Sequence, residues 1–320
     1  MDTDVLKIER LHVDFPIHIG TVRAVNDVSL TIKRGKTMGL VGESGCGKST
    51  LGFSILRLLR PPGRIASGKI LFQDNDIVSM TEAEVKSVRG NRISMIFQDP
   101  LTSLNPLFTI GEQFVETIKV HEPQLSKKEA TARAGEMLSG LGISPDRLKE
   151  YPHQMSGGMR QRIMIGIGLV LNPELLIADE PTTALDVIVE AHFLDLLKEL
   201  SERLQLSIML ITHNLGVVAQ MADRVTVMYG GRIMETGEAE AIFAEPKHPY
   251  TRGLLDSVPN INLTQPQLNP MEGIPPDLVN PPAGCVFHPR CPKVMDICRQ
   301  KVPVESFDNE HMTACWLWGE

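Results

Sequence analysis

Residues Gly42 to Thr50 read Gly-Glu-Ser-Gly-Cys-Gly-Lys-Ser-Thr, a spacing that sets three glycines around one lysine and neighbouring hydroxyls. It fits G-x-x-x-x-G-K-[ST], a loop that cradles phosphates. Gly42, Gly45 and Gly47 allow torsions that a residue with a Cβ resists. Successive N–H groups from Ser44 to Thr50 then turn inward around phosphate oxygens, at the positive end of the following helix. Lys48 is placed to reach the β- and γ-phosphates, and the Ser49 hydroxyl to ligate Mg²⁺. Thr37 to Val41 reads as a short buried strand before the loop, and Leu51 to Leu59 as a helix after it, ending before Pro61-Pro62. The expected ligand is a nucleoside triphosphate with Mg²⁺.

Other groups able to do chemistry recur at the ends of apolar runs. Ile93 to Phe97 reads as a strand followed by Gln98, whose side-chain oxygen suits Mg²⁺. Ser156-Gly157-Gly158 opens a long apolar helix, a second backbone-amide anion site with a hydroxyl beside it. Leu175 to Ala178 is fully apolar and ends in Asp179 and Glu180. That pattern fits a buried parallel strand delivering carboxylates at its carboxyl end, where α/β sheets bind ligands. Asp179 is then suited to hold Mg²⁺ through water, and Glu180 to take a proton from an attacking water. Asp186 opens a helix over 187–204, and His213 closes a strand over 207–211, either touching a γ-phosphate or serving the fold. Phe15 is an adenine-stacking residue or a core aromatic.

Several elements must position these groups. Residues 1 to 33 alternate in strand fashion at Leu6 to Glu9, Leu11 to Phe15 and Val28 to Ile32, which predicts an antiparallel sheet. Further strands are expected over 67–72 and in a hairpin around Gly230-Gly231, with helices over 81–89 and 107–142. The 320 residues are 42% apolar and 22% charged with a net charge of -7. This is a soluble balance without the basic field that nucleic acid requires. No apolar run reaches the roughly 18 to 20 residues that span a bilayer. The amino terminus lacks a basic stretch followed by an apolar one, so no secretory signal is expected. A cytosolic protein is expected, with a membrane partner still open.

In order, the phosphate loop, Gln98, Ser156-Gly157-Gly158, Asp179-Glu180, Asp186 and His213 resemble the nucleotide-binding subunit of ABC transporters over roughly residues 5 to 245. Met155 to Arg162, MSGGMRQR, looks like the family signature, and Pro181 to Asp186, PTTALD, like its D-loop. The resemblance implies an α/β fold. Residues 1–245 would form a P-loop NTPase (RecA-like) ABC cassette core, with an antiparallel β subdomain and an α-helical signature subdomain at about 99–161 that docks a permease. It also implies two subunits closing head to tail around two ATP molecules. Phe15, Gly42, Ser44, Gly45, Cys46, Gly47, Lys48, Ser49 and Thr50 would bind ATP from one side. Ser156, Gly157, Gly158 and Met159 of the partner subunit would contact the same γ-phosphate. Gln98 and Asp179 would join Ser49 around Mg²⁺, Glu180 would be general base, and His213 would steady the γ-phosphate.

Residues 246–320 are expected to form a small Cys-rich extension. Glu245 to Leu255 resembles the segment that follows the core in oligopeptide and dipeptide import ATPases, and nickel importers share parts of it. The resemblance therefore implies a second ATPase subunit (a paralogue), two permeases and an extracytoplasmic peptide-binding protein, on the cytoplasmic side of the inner membrane. A nickel or other small-solute importer, or a soluble ABC ATPase acting in DNA repair or translation, are the alternatives. Seven prolines between Val258 and Ala283 argue for a linker there. Four of the five cysteines follow as Cys285, Cys291, Cys298 and Cys315. Four thiolates in a reducing compartment suit tetrahedral zinc or an iron–sulfur cluster, with His288 as an alternative ligand, or stay as free thiols. The absent C-x2-4-C knuckle favours the bulkier group, and the resemblance points to a [4Fe–4S] cluster acting as a structural staple for a tail with a poor core.

Overall fold

The computed structural model describes residues 3–97, 104–183, 186–257 and 271–319. They form two compact units, one from residues 1–79 and 210–320, the other from residues 80–209.

In the first unit β1 (Asp4–Ile17) and β2 (Gly20–Lys33) pair antiparallel. β4 (Arg64–Phe72) lies on the other edge of β1, followed by β5 (Asn75–Asp76). The separate strands expected over 6–15 are one continuous strand. Arg10 and Asp27 adopt φ of 46° and 60°, next to register shifts between Ile8, Leu11 and Val13. Such bulges reset the period-2 alternation, which is why the sequence looks interrupted there.

A second sheet in this unit carries the phosphate loop. β3 (Thr37–Val41) is buried at all five positions and runs parallel to β9 (Arg224–Tyr229). β9 turns through Gly230 and Gly231, both at positive φ, into antiparallel β10 (Arg232–Glu238). On the other side of β3, the Thr212 N–H donates to the Leu40 carbonyl at 3.2 Å, just past the end of β8 (Ser207–Ile211). The tail adds β12 (His311–Thr313) to the edge of β10 and β11 (Ser306–Asp308) to β12. α1 (Lys48–Ile55) follows the loop and stops earlier than the apolar spacing suggests, at Leu56 with Arg57 at φ 50°.

The tail shares the core of the second sheet. Tyr250, Val286 and Phe287 are buried with Val41, Val225, Val227 and Tyr229 in one cluster. The Tyr229 ring lies 4.5 Å from Tyr250 and meets Phe287 edge-on at 5.2 Å, distances at which aromatic pairs attract beyond their area burial. The sheet supplies the apolar surface that the short tail lacks.

The second unit pairs β6 (Ile93–Ile96) with parallel β7 (Leu175–Asp179), the latter wholly buried. Among the described residues its α-helices are α2 (Glu82–Val88), α3 (Ile110–His121), α4 (Lys127–Gly140), α5 (Gly157–Leu169) and α6 (Val187–Leu204). The helical pattern expected over 107–142 is therefore two helices. Pro123 cannot continue the first, and Ser126 with Glu129 forms a capping box that starts the second. Among the described residues no helix is long and apolar enough to cross a membrane.

Candidate nucleotide-binding site

The loop between β3 and α1 has the geometry that its glycines imply. Gly45 and Gly47 adopt φ of 79° and 103°, and a Cβ on Gly47 would lie 2.1 Å from the Ala24 carbonyl oxygen. Gly47 is the N-cap of α1, with no side-chain cap on the helix start. Lys48, 6% exposed, folds back so that Nζ donates to the carbonyls of Gly42 at 2.7 Å and Glu43 at 3.0 Å. The loop is thus curled around its own lysine, with the positive end of α1 beneath it. Cys46 is buried at 5% exposure, and burial pushes its thiol pKa up. The loop uses its backbone: the Cys46 carbonyl accepts from the Gly231 N–H at 3.0 Å.

Two other expected residues lie in this unit. The Phe15 ring packs against the turn at Gly63, where an added Cβ would fall 2.4 Å from it. His213 is exposed just past β8. The Asn214 N–H donates to Thr212 Oγ1 at 3.0 Å, and the Asn214 side chain caps α7 (Leu215–Met221).

The carboxylates and the Ser-Gly-Gly segment lie in the second unit. Asp179 is 2% exposed at the carboxyl end of β7. Glu180 follows in the left-handed region, φ 49°, a conformation that costs a non-glycine residue about 1–3 kcal/mol and tends to persist at functional sites. Thr183 Oγ1 donates to Glu180 Oε2 at 3.2 Å, and the Thr183 N–H to the Glu180 carbonyl at 3.2 Å. Buried Gln161 on α5 donates from Nε2 to the Pro181 carbonyl, tying the signature helix to the segment after Glu180. Only its place in MSGGMRQR sets Gln161 apart in the sequence. Ser156 is the exposed N-cap of α5 and accepts from the Met159 N–H at 3.3 Å. A Cβ on Gly157 would meet nothing within 4 Å, so the start of this helix is open to a close-approaching group. Asp186 caps α6 by accepting from the Val189 N–H at 2.9 Å, with Val187 and Ile188 exposed behind it. Gln98, and Ala184 and Leu185 of the PTTALD segment, lie outside the described residues.

These motifs run the length of the chain, and so does its likeness to known proteins. It is 49% identical over 318 residues to the dipeptide transport ATP-binding protein DppD of Bacillus subtilis, covering 98% of this chain and 94% of that one. The chain belongs to the ABC transporter ATPases. The family described as ABC transporter matches residues 25–183, and the oligopeptide/dipeptide transporter C-terminal region matches residues 234–298. The oligopeptide transport ATP-binding protein OppD of Salmonella typhimurium is 46% identical over 314 residues, covering 98% of this chain and 93% of that one. Solved ABC cassettes share the fold. The dimeric bacterial cassette MJ0796 gives a TM-score of 0.65 at 26% identity over 73% of this chain and 98% of that one. For cbiO1 of Clostridium perfringens the values are 0.65, 30%, 77% and 92%.

The four tail cysteines of this ABC ATPase share a region of the first unit. Cys285, Cys298 and Cys315 are buried and Cys291 is half-buried. The Cys285 N–H donates to the Cys298 carbonyl at 2.8 Å. Burial pushes the Cys285 thiol up to about 11 and raises those of Cys291 and Cys315. Among the described residues, however, no three His, Cys, Asp or Glu side chains converge so as to hold a metal ion. As arranged, the thiols do not fit the expected cluster or zinc. Cys285 and Cys298 instead pack as small apolar groups in the aromatic core, and the His288 ring nitrogen Nδ1 is engaged with the Cys285 carbonyl at 2.9 Å.

Proposed function

We propose that this ABC ATPase powers import of di- or oligopeptides. It would act on the cytoplasmic face of the cell membrane, paired head to tail with a second ATPase subunit, a paralogue, and coupled to two permease subunits and an extracytoplasmic peptide-binding protein. The observation that carries this reading is the near-full-length similarity to peptide-transport ATP-binding proteins, which includes the tail region over 234–298. In the same reading, residues 1–245 form the cassette, with the helical subdomain at about 99–161, and residues 246–320 the extension.

The proposed chemistry assigns each motif one task. Backbone N–H groups from Ser44 to Thr50 and the Lys48 ammonium hold the phosphates of ATP, and Phe15 lies against the adenine. Ser156, Gly157, Gly158 and Met159 of the partner subunit contact the same γ-phosphate. Oxygen donors on Ser49, Gln98 and Asp179 suit Mg²⁺, a hard cation, which neutralises charge on the phosphates when bound. Glu180 takes a proton from water, whose oxygen bonds to the γ-phosphorus as the bond to the bridging oxygen of ADP breaks. His213 steadies the departing phosphate and Asp186 orders the D-loop. Positioning and charge stabilisation supply most of the acceleration in such transfers. The left-handed torsion of Glu180 and its Thr183 hydrogen bonds support a pre-set base. The cassette MJ0796, which shares the fold, has a solved post-hydrolysis state bound to ADP and Pi.

The test is ATP-dependent uptake of labelled dipeptide into vesicles carrying the co-purified complex. Peptide uptake with two integral membrane proteins present is the expected result. Nickel uptake without peptide uptake would move the cargo to the metal importers, and failure to co-purify with membrane proteins would remove the transport reading.

The finer reading of the tail is that Cys285, Cys291, Cys298 and Cys315 turn toward one centre around a [4Fe–4S] cluster, or zinc in its place. Its support is the cysteine spacing and their shared region. Anaerobically purified protein with a broad visible band and four irons per cluster carries it; a colourless, metal-free preparation ends it.

A further inference from the structure

Glu43, inside the phosphate loop, is held by residues that come from the last quarter of the chain. Its N–H donates to Tyr250 Oη at 2.9 Å. Its carboxylate accepts from Arg290 through both oxygens, Nη1 to Oε2 at 2.7 Å and Nη2 to Oε1 at 3.0 Å, across 247 residues of sequence. Its carbonyl accepts from Lys48. Every polar group of Glu43 is therefore engaged, two of them by the tail.

Arg290 is built for this contact. Its remaining guanidinium hydrogens go to Tyr229 Oη at 3.2 Å, the Met271 carbonyl at 3.4 Å and the Glu272 carbonyl at 2.9 Å, so all five donors of the fork are used. Its side chain is 6% exposed, against 25% for Glu43. A pair this sheltered escapes most of the screening that makes surface pairs nearly worthless, and its bidentate geometry fixes orientation as well as distance. The backbone of Arg290 is set by the cysteine turn. The His288 N–H donates to the Cys285 carbonyl at 3.0 Å, the Arg290 N–H to Phe287 at 3.0 Å, and the Cys291 N–H to His288 at 3.3 Å.

We propose that Arg290 is a positioning residue for nucleotide binding: through Glu43 it holds the phosphate loop and its lysine in the phosphate-binding curl, making the tail's cysteine turn part of the scaffold of the ATP site. This rests on reading the loop as the nucleotide site. Loosening Glu43 frees the carbonyl that anchors Lys48 and the strand-to-loop turn beside it, so the loss falls on ATP affinity. A tail that is merely stapled to the core would lose melting temperature and keep its affinity.

The experiment is equilibrium titration of the full-length protein with a fluorescent ATP analogue, with melting temperature measured alongside, for Arg290→Gln, Arg290→Lys, Glu43→Gln and the Glu43→Gln/Arg290→Gln double variant. Arg290→Gln and Glu43→Gln are each expected to weaken affinity about tenfold, the scale of a hydrogen bond to a charged group. The double variant should lose no more than either single, as expected for one coupled pair. Arg290→Lys should recover only part of the affinity, because an ammonium cannot reproduce the fork. Affinity within twofold of wild type in folded Arg290→Gln, or losses that multiply in the double variant, would overturn the proposal. Should Arg290→Gln fail to fold, the more exposed Glu43→Gln decides the question by the same criterion. Lys48→Ala separates the two readings. Undiminished binding in that variant sinks the nucleotide assignment itself, whereas lost binding there with normal Arg290 and Glu43 variants sinks only the role of Arg290.

Discussion

Replacing Gly47 by alanine should damage the phosphate loop far more than the same change two residues earlier. At Gly47 the φ of 103° is costly for any side chain, about 1–2 kcal/mol. The new Cβ would also sit 2.1 Å from the Ala24 carbonyl oxygen, where ordinary contact begins at 3.4 Å. Backbone must therefore retreat by more than an ångström, and overpacking of this kind costs about 1–3 kcal/mol. The sum, about 2–5 kcal/mol, is a large part of the stability of an ordinary domain. It falls on the residue that caps α1 and precedes Lys48. At Gly45 the φ is 79° but a Cβ meets nothing within 4 Å, so only the torsional cost remains, about 1–2 kcal/mol. Urea unfolding and ATP-analogue titration of both variants make the comparison. Gly47→Ala should be the less stable by about 1–3 kcal/mol and should bind nucleotide about 10- to 100-fold more weakly, the scale of one lost hydrogen bond to a charged group. Equal stability of the two variants, or wild-type affinity in Gly47→Ala, would show that the close approach to Ala24 does not shape the loop.

Two further outcomes follow from the first unit. His248 is fully buried and desolvation lowers its pKa from 6.5 to about 3, so it stays neutral in the folded chain while the unfolded chain takes up a proton below pH 6.5. Its contribution is complete above pH 6.5 and is lost as the pH falls toward 3; His248→Gln should flatten that part of the stability–pH curve, and an unchanged slope would contradict the assignment. Glu235 is fully buried and accepts from the Lys247 and His248 N–H groups at 2.7 and 3.0 Å and faces His311 Nε2 at 2.7 Å. Glu235→Ala leaves these groups without their partner and should cost about 3–5 kcal/mol in urea unfolding, with a loss under 1 kcal/mol contradicting it.

The sequence made some of this molecule plain and hid the rest for physical reasons. The loop, the strand into Asp179 and the helix over 187–204 announce themselves because glycine spacing and apolar periodicity are local signals. α6 occupies the range expected of it. The bulges at Arg10 and Asp27 broke the alternation of β1 and β2, so two long strands read as pieces. β11 and β12 are three residues each, too short for any period to show. Arg290 and Glu43 are 247 residues apart, and no spacing rule joins them. The cysteines are ambiguous in another way: their spacing suggests a ligand set, while Cys285 and Cys298 also pack as core side chains beside Phe287. The torsion of Glu180 is likewise invisible in Asp-Glu-Pro.

ATP hydrolysis by this chain turns on the proposed base, Glu180. Steady-state phosphate release by the purified complex, wild type against Glu180→Gln, tests it most directly. The variant should still bind ATP with wild-type affinity, since a general base acts on water and not on the bound phosphates, and its turnover should fall by about 100-fold or more, the contribution of a positioned general base. Turnover near that of the wild type, with ATP bound, would remove Glu180 from the role of base.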